Sequence, residues 1–314
     1  VLAALGVAHQ HVAGADIANF DFSGYGRFGI LYEDDRDGAN EVRLESRYRL
    51  NIDASTETDA GIRFAARIRV QADENADNSA NAGSFSGARF QLSSGGLRVR
   101  VGNISGVTDA AEVVDYFGFE PGLVGQVGQY GNSGVSLPAF SSSGAGANGV
   151  NVKYEIGDFA VMASYTDDHD ENNGSTAAET AFADSFEIGA SYSFSGWKVG
   201  AVYGEFQQTT AGVADENDFW VITAAGSIGI ADVTFLVSDF EGDDDIVLGA
   251  SASFPVSAVT NITASVSDGG VSENETSYGL GFTHSLGGGV SLSGLVGSNP
   301  DDNTVADLGV RFNF

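Results

Sequence analysis

The chain has 314 residues, no cysteine and a formal net charge of −29. The absence of cysteine excludes a disulfide framework and a thiolate metal site, and the excess of acid argues against nucleic acid as a partner, since binding phosphates needs neutralising cations. No apolar run approaches the roughly 20 residues of a membrane-spanning helix, whereas 43 glycines, 21 phenylalanines and four prolines favour many short strands.

The first fifteen residues differ from the rest of the chain. They form a short apolar run that ends in Ala13-Gly14-Ala15, a small-x-small pattern typical of a signal-peptidase site. We interpret residues 1–15 as the remnant of a signal peptide, and residues 16–314 as one domain that begins near Asp16. The alternative is an ordered, alanine-rich N-terminal segment.

The next hundred residues alternate between apolar and polar side chains. In VRLESRYRLNID, Val42 and Leu44 share one parity while Arg43 and Glu45 share the other. A period of two is typical of a β-strand whose two faces meet different surroundings. Four further segments show the same pattern: FDFSGYGRFGILY, GIRFAARIRVQ, GARFQLS and LRVRVGN.

Eleven more alternating segments follow after residue 148, which makes sixteen strands. Tight turns such as Gly157-Asp158 and Ser195-Gly196 alternate with longer, acidic connections such as 33–41 and 167–180. Short connections at one end and long ones at the other are typical of an outer-membrane barrel. One connection, residues 105–148, is too long for a plain loop.

A soluble acidic β-solenoid or a tandem sandwich would also alternate. No short fixed repeat is visible, which counts against the solenoid. The even strand count and the alternating loop lengths favour a 16-stranded antiparallel transmembrane β-barrel, an all-β fold.

Several motifs of the chain resemble those of general diffusion porins of Gram-negative outer membranes, and most of all the porins of alphaproteobacteria. These motifs are GYGRFGILY (24–32), the block ESRYRLNI to TETDAGIRFAARIRVQ (45–71), VGNISGV (101–107) and the terminal TVADLGVRFNF (304–314). The resemblance implies a trimer in the outer membrane and a third loop, residues 105–148, that folds inward and narrows the channel. The Gly-rich middle of that loop departs from the pattern and leaves its path open.

In a barrel, the polar parity faces a water-filled lumen, because arginine facing lipid near the midplane costs about 2–4 kcal/mol. We therefore predict a basic lumen wall, here called the arginine wall. Its members are Arg27, Arg43, Arg47, Arg49, Arg63, Arg67, Arg69, Arg89, Arg98, Arg100 and Arg311. Some of them are expected to pair with inward acids such as Glu45 and Asp53.

The third loop carries four acids that we predict to lie opposite the arginine wall: Asp109, Glu112, Asp115 and Glu120. Acid on one side and base on the other would create a transverse field that orders water and lets small hydrophilic solutes and ions pass. The alternative is that these acids are ordinary solvated loop residues. The overall charge predicts weak cation selectivity despite the arginine wall.

Acidic clusters in the outer loops are candidate ligands for Ca²⁺, the one cofactor considered: Asp34, Asp35, Asp37, Asp243, Asp244 and Asp245. None follows the spaced pattern of an EF-hand loop. The alternative is a solvated acidic rim, bridged loosely by divalent ions to lipopolysaccharide. Aromatic residues at strand ends are predicted to form interfacial girdles: Tyr32, Tyr154, Tyr165, Trp197, Tyr203 and Phe314.

Three other functions compete with a general diffusion channel. An enzyme is disfavoured, because His169 and His284 lack a nucleophile motif and cannot complete a zinc site. A substrate-specific channel would need an aromatic ladder, and only Tyr25 and Phe85 were assigned to the lumen side. A non-conducting adhesin or structural barrel would have a closed lumen and give no channel steps.

Overall fold

The computed structural model describes residues 19–36, 40–74, 80, 82–135, 137–144, 146, 148–167, 182–210 and 213–314. The predicted signal remnant (residues 1–15), Asp37 and His169 lie outside these residues. Within the described residues, no helix is long and apolar enough to cross a membrane.

The described part of the chain forms seventeen strands and one short helix. The elements are β1 (Asn19–Glu33), β2 (Val42–Glu57), β3 (Arg63–Asp73), β4 (Ser84–Phe85), β5 (Arg89–Ser94), β6 (Leu97–Asn103), α1 (Val107–Ala110), β7 (Asn148–Ile156), β8 (Phe159–Asp167), β9 (Phe182–Phe194), β10 (Trp197–Thr210), β11 (Val213–Ile228), β12 (Ala231–Phe240), β13 (Asp245–Ser257), β14 (Thr260–Gly270), β15 (Ser277–Gly287), β16 (Val290–Ser298) and β17 (Thr304–Asn313).

These strands close into one antiparallel barrel. Apart from β4 and β5, successive strands pair with each other, and β1 pairs with both β2 and β17, so that Arg27 lies opposite Arg47 on one side and Arg311 on the other. The two-residue β4 and the six-residue β5 both pair with β3, and together they occupy one position in the wall. The barrel therefore has sixteen wall positions, which confirms the predicted 16-stranded antiparallel barrel.

The two parities of the strands meet different surroundings, as the alternation predicted. On β2, Leu44 is 67 % exposed on the outer face, whereas its neighbour Glu45 is 5 % exposed on the inner face. Outward-facing apolar side chains recur around the wall, including Phe28, Ile30, Phe90, Val152, Ile222 and Leu280. They form the apolar belt that a transmembrane barrel presents to lipid.

The largest cluster of buried apolar side chains lies inside the barrel. Residues of the third loop pack there against inward-facing side chains of β8 and β10–β13. The cluster is made of Val107, Val113, Val114, Tyr116, Val135, Ala160, Met162, Val202, Phe206, Phe219, Val221, Leu236 and Val247. Because this half of the inner wall is apolar, the loop is held to it rather than projecting into the channel.

Candidate functional site: the lumen and its third loop

The third loop leaves β6 at Asn103 and is fixed to the inner wall by barrel side chains. Glu187 of β9 accepts hydrogen bonds from both the backbone N–H and the hydroxyl of Thr108, each at 2.7 Å. Asp307 of β17 accepts the backbone N–H of Leu123 at 2.9 Å. Two carboxylates on opposite sides of the wall thus hold the start and the middle of the loop.

On the strands between β9 and β17, three wall hydroxyls accept backbone N–H groups of the loop. Thr223 of β11 accepts from Asp115 at 2.9 Å, and Ser251 of β13 accepts from Phe119 at 2.8 Å. Ser267 of β14 accepts from Asn132 at 3.0 Å. Loop backbone that has no sheet partner is therefore satisfied by the inner wall, as buried N–H groups require.

Two wall glycines permit this close approach. A Cβ atom at Gly200 of β10 would lie 1.9 Å from the carbonyl oxygen of Val113, and one at Gly249 of β13 would lie 1.9 Å from that of Gln129. Any larger residue at either position would push the loop away from the wall.

The arginine wall lies on the other side of the lumen. Its residues come from β1, β2, β3, β5, β6 and β17, and all of them share the inward parity of their strands. Most of the third loop contacts β8–β17 and faces the arginine wall across the channel, whereas Glu112 and Phe140 of the loop contact that wall directly.

Four members of the arginine wall pair with acids on the neighbouring strand or at its end. Arg67 makes a two-pronged contact with Asp53, at 2.7 and 2.9 Å, and Arg47 contacts Asp73 at 2.5 Å. Arg43 lies 3.6 Å from Glu74. The fourth pair joins Arg27 and Glu45.

Five members have no acidic partner among the described residues. Arg49 and Arg311 approach the ring of Tyr25, with the guanidinium carbon of Arg311 at 3.9 Å from the ring centroid. Arg69 and Arg89 approach the ring of Phe140, at 4.6 and 5.2 Å. The fifth, Arg63, donates to the hydroxyl of Ser55 at 3.2 Å.

Glu112 is the loop acid that contacts the arginine wall directly. It accepts from Arg98 at 2.6 Å and from Arg100 at 2.9 Å, and it lies 3.0 Å from the ammonium of Lys153 on β7. Burial alone would raise the pKa of Glu112, but the hydrogen bonds and charges of Arg98, Lys153 and Arg100 outweigh it and lower the pKa to about 2. Glu112 is therefore a carboxylate at every physiological pH.

The other three predicted loop acids have different surroundings. Burial raises the pKa of Asp109, against the nearby Ser105 hydroxyl and the Phe140 backbone, which lower it. Asp115 lines a cavity of about 570 Å³ together with Lys198 of β10. Glu120 is exposed and accepts a hydrogen bond from the hydroxyl of Tyr130 at 2.7 Å. The four acids therefore do not form a single row opposite the arginine wall.

Two features of the lumen escaped the sequence analysis. Phe140 covers two arginines, and Lys153 joins the Glu112 cluster, although neither belongs to an alternating arginine segment. The assignment of Phe85 to the lumen was wrong. It pairs with the outward Val70 and is 58 % exposed on the outer face, because the irregular residues 86–88 between β4 and β5 reverse the parity.

The comparisons with known proteins agree with this geometry. Residues 1–304 match the family described as Gram-negative porin. The chain belongs to the Gram-negative porin family. It is similar to the porin of Fuscovulum blasticum, with 32 % identity covering 93 % of this chain and 99 % of that protein, and to the porin of Rhodobacter capsulatus, with 25 % identity and the same coverage.

Solved structures show the same likeness. A triple mutant of the Rhodopseudomonas blastica porin matches with a TM-score of 0.75 and 29 % identity, covering 94 % of this chain and 100 % of that one. The predictions of family, fold and function are confirmed: the protein is a general diffusion porin of the Gram-negative outer membrane, a channel and not an enzyme.

Five of the six predicted girdle residues of the porin lie at or next to a strand end, whereas Tyr203 lies in the middle of β10. Tyr154, Tyr165, Tyr203 and Phe314 are exposed on the outer face, whereas Tyr32 and Trp197 are half-buried. Trp197 packs over Gly226, where a Cβ atom would lie 2.5 Å from the indole ring.

The candidate calcium ligands gain no support from the described part of the porin. Within it, no three acidic or histidine side chains are grouped closely enough to hold a metal ion. Asp34 and Asp35 directly follow β1 at the long-loop end of the barrel, and Asp243 and Asp244 lie in the connection between β12 and β13, which begins at Asp245.

Proposed function

We propose that solutes cross the porin between the arginine wall and the third loop, and that the channel weakly prefers cations. One observation supports the proposal above the others: the arginines occupy the lumen side of β1–β6 and β17, while the loop is docked on the opposite half of the wall. A passage bounded this way has base on one side and loop carboxylates on the other.

The field across such a passage acts on the solvent and on the solute. It orders water and orients dipolar solutes, whereas an apolar molecule must displace that water without compensation. Small hydrophilic solutes therefore pass and lipophilic ones are slowed. On the positive side, the arginines without acidic partners contribute most, because Arg27, Arg43, Arg47 and Arg67 are each neutralised locally.

The preference for cations follows from the acid outside the passage. The chain carries 43 acidic and 14 basic residues, and eleven of its twelve arginines lie between Arg27 and Arg100. The remaining surface, including the long loops at the channel entrance, is thus strongly acidic and concentrates cations there.

Reversal potentials in a KCl gradient test this proposal. The wild-type porin is expected to favour K⁺ weakly, and the double variant Arg47→Ala, Arg67→Ala to favour it more, because Asp73 and Asp53 then stay on the wall as unpaired negative charges. Replacing Arg36 by alanine serves as a control for charge at the outer end of the barrel. A strong chloride preference of the wild type, or an unchanged K⁺-to-Cl⁻ permeability ratio in the double variant, contradicts the proposal.

We also propose that the porin assembles as a homotrimer through the side of the barrel that contains β5 and β6. Members of the family are typically trimeric. These two strands have six and seven residues, fewer than the 9–11 or so that a tilted strand needs to cross a bilayer, and their outer faces carry Phe90 and Val101. A neighbouring subunit would cover this low part of the wall.

Cross-linking of a single introduced cysteine tests the trimer, because the chain has no cysteine of its own that could react. A single Val101→Cys variant, treated with a short bis-maleimide in outer-membrane vesicles, is expected to give covalent dimers. Ile222→Cys, on the outer face of the distant β11, is the matched control and should stay monomeric. Equal cross-linking at both positions would refute the assigned side.

A further proposal concerns the acidic rim at the long-loop end. Asp34, Asp35 and Asp243–Asp245 would bind divalent cations loosely and bridge them to the phosphates of lipopolysaccharide. Removal of divalent ions with a chelator is expected to reduce the lipopolysaccharide that copurifies with the porin. Retention of the lipid after chelation would argue against the bridge.

A further inference from the structure

A recess in the arginine wall is not accounted for by the transverse field. It measures about 420 Å³ and collects four arginines of three strands: Arg63 and Arg67 of β3, Arg89 of β5 and Arg100 of β6. Arg63 directly follows the short turn after β2, so the recess lies toward the short-turn end of the barrel.

The guanidinium groups of the recess have unused donors. Arg67 gives Asp53 its Nε and Nη2 groups, and Arg100 gives Gln91 and Glu112 its Nε and Nη1 groups. Each therefore keeps one nitrogen, Nη1 of Arg67 and Nη2 of Arg100, without a hydrogen-bond partner among the described residues.

The other two arginines are less occupied still. Arg63 uses only Nη2, in its hydrogen bond to Ser55. Arg89 makes neither a hydrogen bond nor an ion pair within the described part of the chain, and its guanidinium lies against the ring of Phe140. An aromatic ring holds a guanidinium by its face and leaves the N–H groups at its edge free to donate.

The charge of the recess is positive after the ion pairs are counted. Asp53 offsets Arg67, and Glu112 offsets Arg100 while also facing Arg98 and Lys153. Asp21 is the remaining acid of the lining, which also includes two arginines, Arg63 and Arg89, that have no acidic partner in the described residues.

We propose that this recess is a binding subsite for a small oxyanion, a carboxylate or a phosphate group, inside a channel that otherwise favours cations weakly. The guanidinium N–H groups of four arginines that line one recess match the planar or trigonal oxygen sets of these groups and give charge-assisted hydrogen bonds, which chloride receives less well. The proposal rests on the proposed role of the arginine wall as one side of the passage. It adds to that passage a binding site for small anionic solutes.

Single-channel recording in KCl tests the subsite, with inorganic phosphate and succinate as two separate probes. Each probe is expected to reduce the current in the wild-type porin at concentrations well below that of KCl. In the double variant Arg63→Gln, Arg89→Gln, the half-blocking concentration should rise at least about tenfold, the loss expected for charge-assisted hydrogen bonds. Block by one probe alone assigns the subsite to phosphate or to carboxylate.

The matched control removes the same charge elsewhere on the arginine wall. Arg43→Gln, Arg311→Gln should shift the reversal potential in KCl but leave the half-blocking concentrations within about twofold, a small free-energy change. No block of the wild type by either probe, or an equal loss of block in both double variants, would overturn the subsite. A reversal potential that stays unchanged in both double variants would instead refute the proposed role of the arginine wall.

Discussion

Glu112 is the residue that joins the third loop to the basic half of the barrel. Three cations from two strands contact its two oxygens, and among the described residues Glu112 is the hydrogen-bond partner of the Arg98 guanidinium. Two further nitrogens of Arg98, Nε and Nη2, are buried without a partner in the described residues. Removing the carboxylate would therefore leave clustered, partly buried charge uncompensated.

We predict that Glu112→Gln destabilises the folded barrel by about 1–3 kcal/mol, the usual range for a charged group that loses its partner. It should also shift the reversal potential toward chloride, because one negative charge leaves the passage. Equilibrium unfolding in urea and recordings in a KCl gradient measure the two effects. Glu273→Gln, an exposed acid of the connection between β14 and β15, is the control and should change stability little.

The contribution of Glu112 to the unfolding free energy depends on pH, and the sign of this dependence is definite. The pKa of Glu112 is about 2 in the folded barrel and 4.5 in its ordinary state, so the unfolded chain takes up the proton first as pH falls. The stabilisation is fully present above pH 4.5 and is lost as pH falls through 2. The difference in unfolding free energy between the wild type and Glu112→Gln should be constant above pH 5 or so and shrink below it. A difference that grows with acid would contradict the ion cluster.

At the scale of elements, the third loop is fixed by the inner wall rather than by its own sequence. Its helix α1 has four residues, and most of its length is irregular. Carboxylates, hydroxyls and apolar side chains from at least six strands satisfy its backbone and cover its valines. Its position thus depends on how closely the wall lets it approach.

Alanine at Gly200 or Gly249 tests that dependence. Each Cβ would meet a loop carbonyl oxygen at 1.9 Å, so the loop has to shift. We predict a loss of about 1–3 kcal/mol in unfolding free energy, as overpacking usually costs, together with an altered single-channel conductance. Gly83→Ala is the control, because its Cβ would have its nearest neighbour at 3.5 Å, an ordinary contact. Unchanged conductance in both wall variants would mean that the loop does not narrow the channel.

The strands were predictable from the sequence and the path of the third loop was not, for a physical reason. The strands were predictable because one face of each meets lipid and the other meets water, which imposes alternation residue by residue. Val202, Phe206 and Phe219 break that pattern by placing apolar groups on the lumen parity, and this was the signal of the docked loop that the sequence offered. The loop's hydrogen bonds could not be predicted, because they join residues such as Leu123 and Asp307, far apart in the chain.

Within the lumen, the sequence predicted which arginines belong to the arginine wall better than it predicted the acid or ring that each arginine contacts. Parity alone assigns Arg49, Arg69 and Arg89 to the lumen, since the same face repeats along each strand. It does not tell which acid each arginine meets, because that depends on strand register and on the loop's path. Phe85 was misassigned for a related reason: an irregular segment resets the alternation, and no residue type marks the reset.

At the scale of the whole molecule, charge is divided between two regions that respond differently to salt. The acidic rim is exposed at the channel entrance except for Asp243, whose carboxylate oxygens are buried, while the arginine wall is half-buried in the lumen. The Debye length is about 10 Å at 0.1 M salt and about 3 Å at 1 M, and buried charges are screened much less than exposed ones. Rising salt should therefore weaken the electrostatic field of the acidic rim before that of the arginine wall.

We predict that the K⁺ preference measured at 0.1 M KCl falls as the salt rises, and that at 1 M KCl the channel approaches neutrality or favours chloride, because the arginine wall keeps its field after the rim is screened. Reversal potentials at a fixed KCl ratio and rising mean concentration give this curve. Asp301→Asn, Asp302→Asn, in the connection between β16 and β17, should lower the preference at 0.1 M and leave it unchanged at 1 M. If the K⁺-to-Cl⁻ permeability ratio of the wild type is independent of salt concentration, the selectivity arises inside the lumen. The proposed division of charge between the acidic rim and the arginine wall is then wrong.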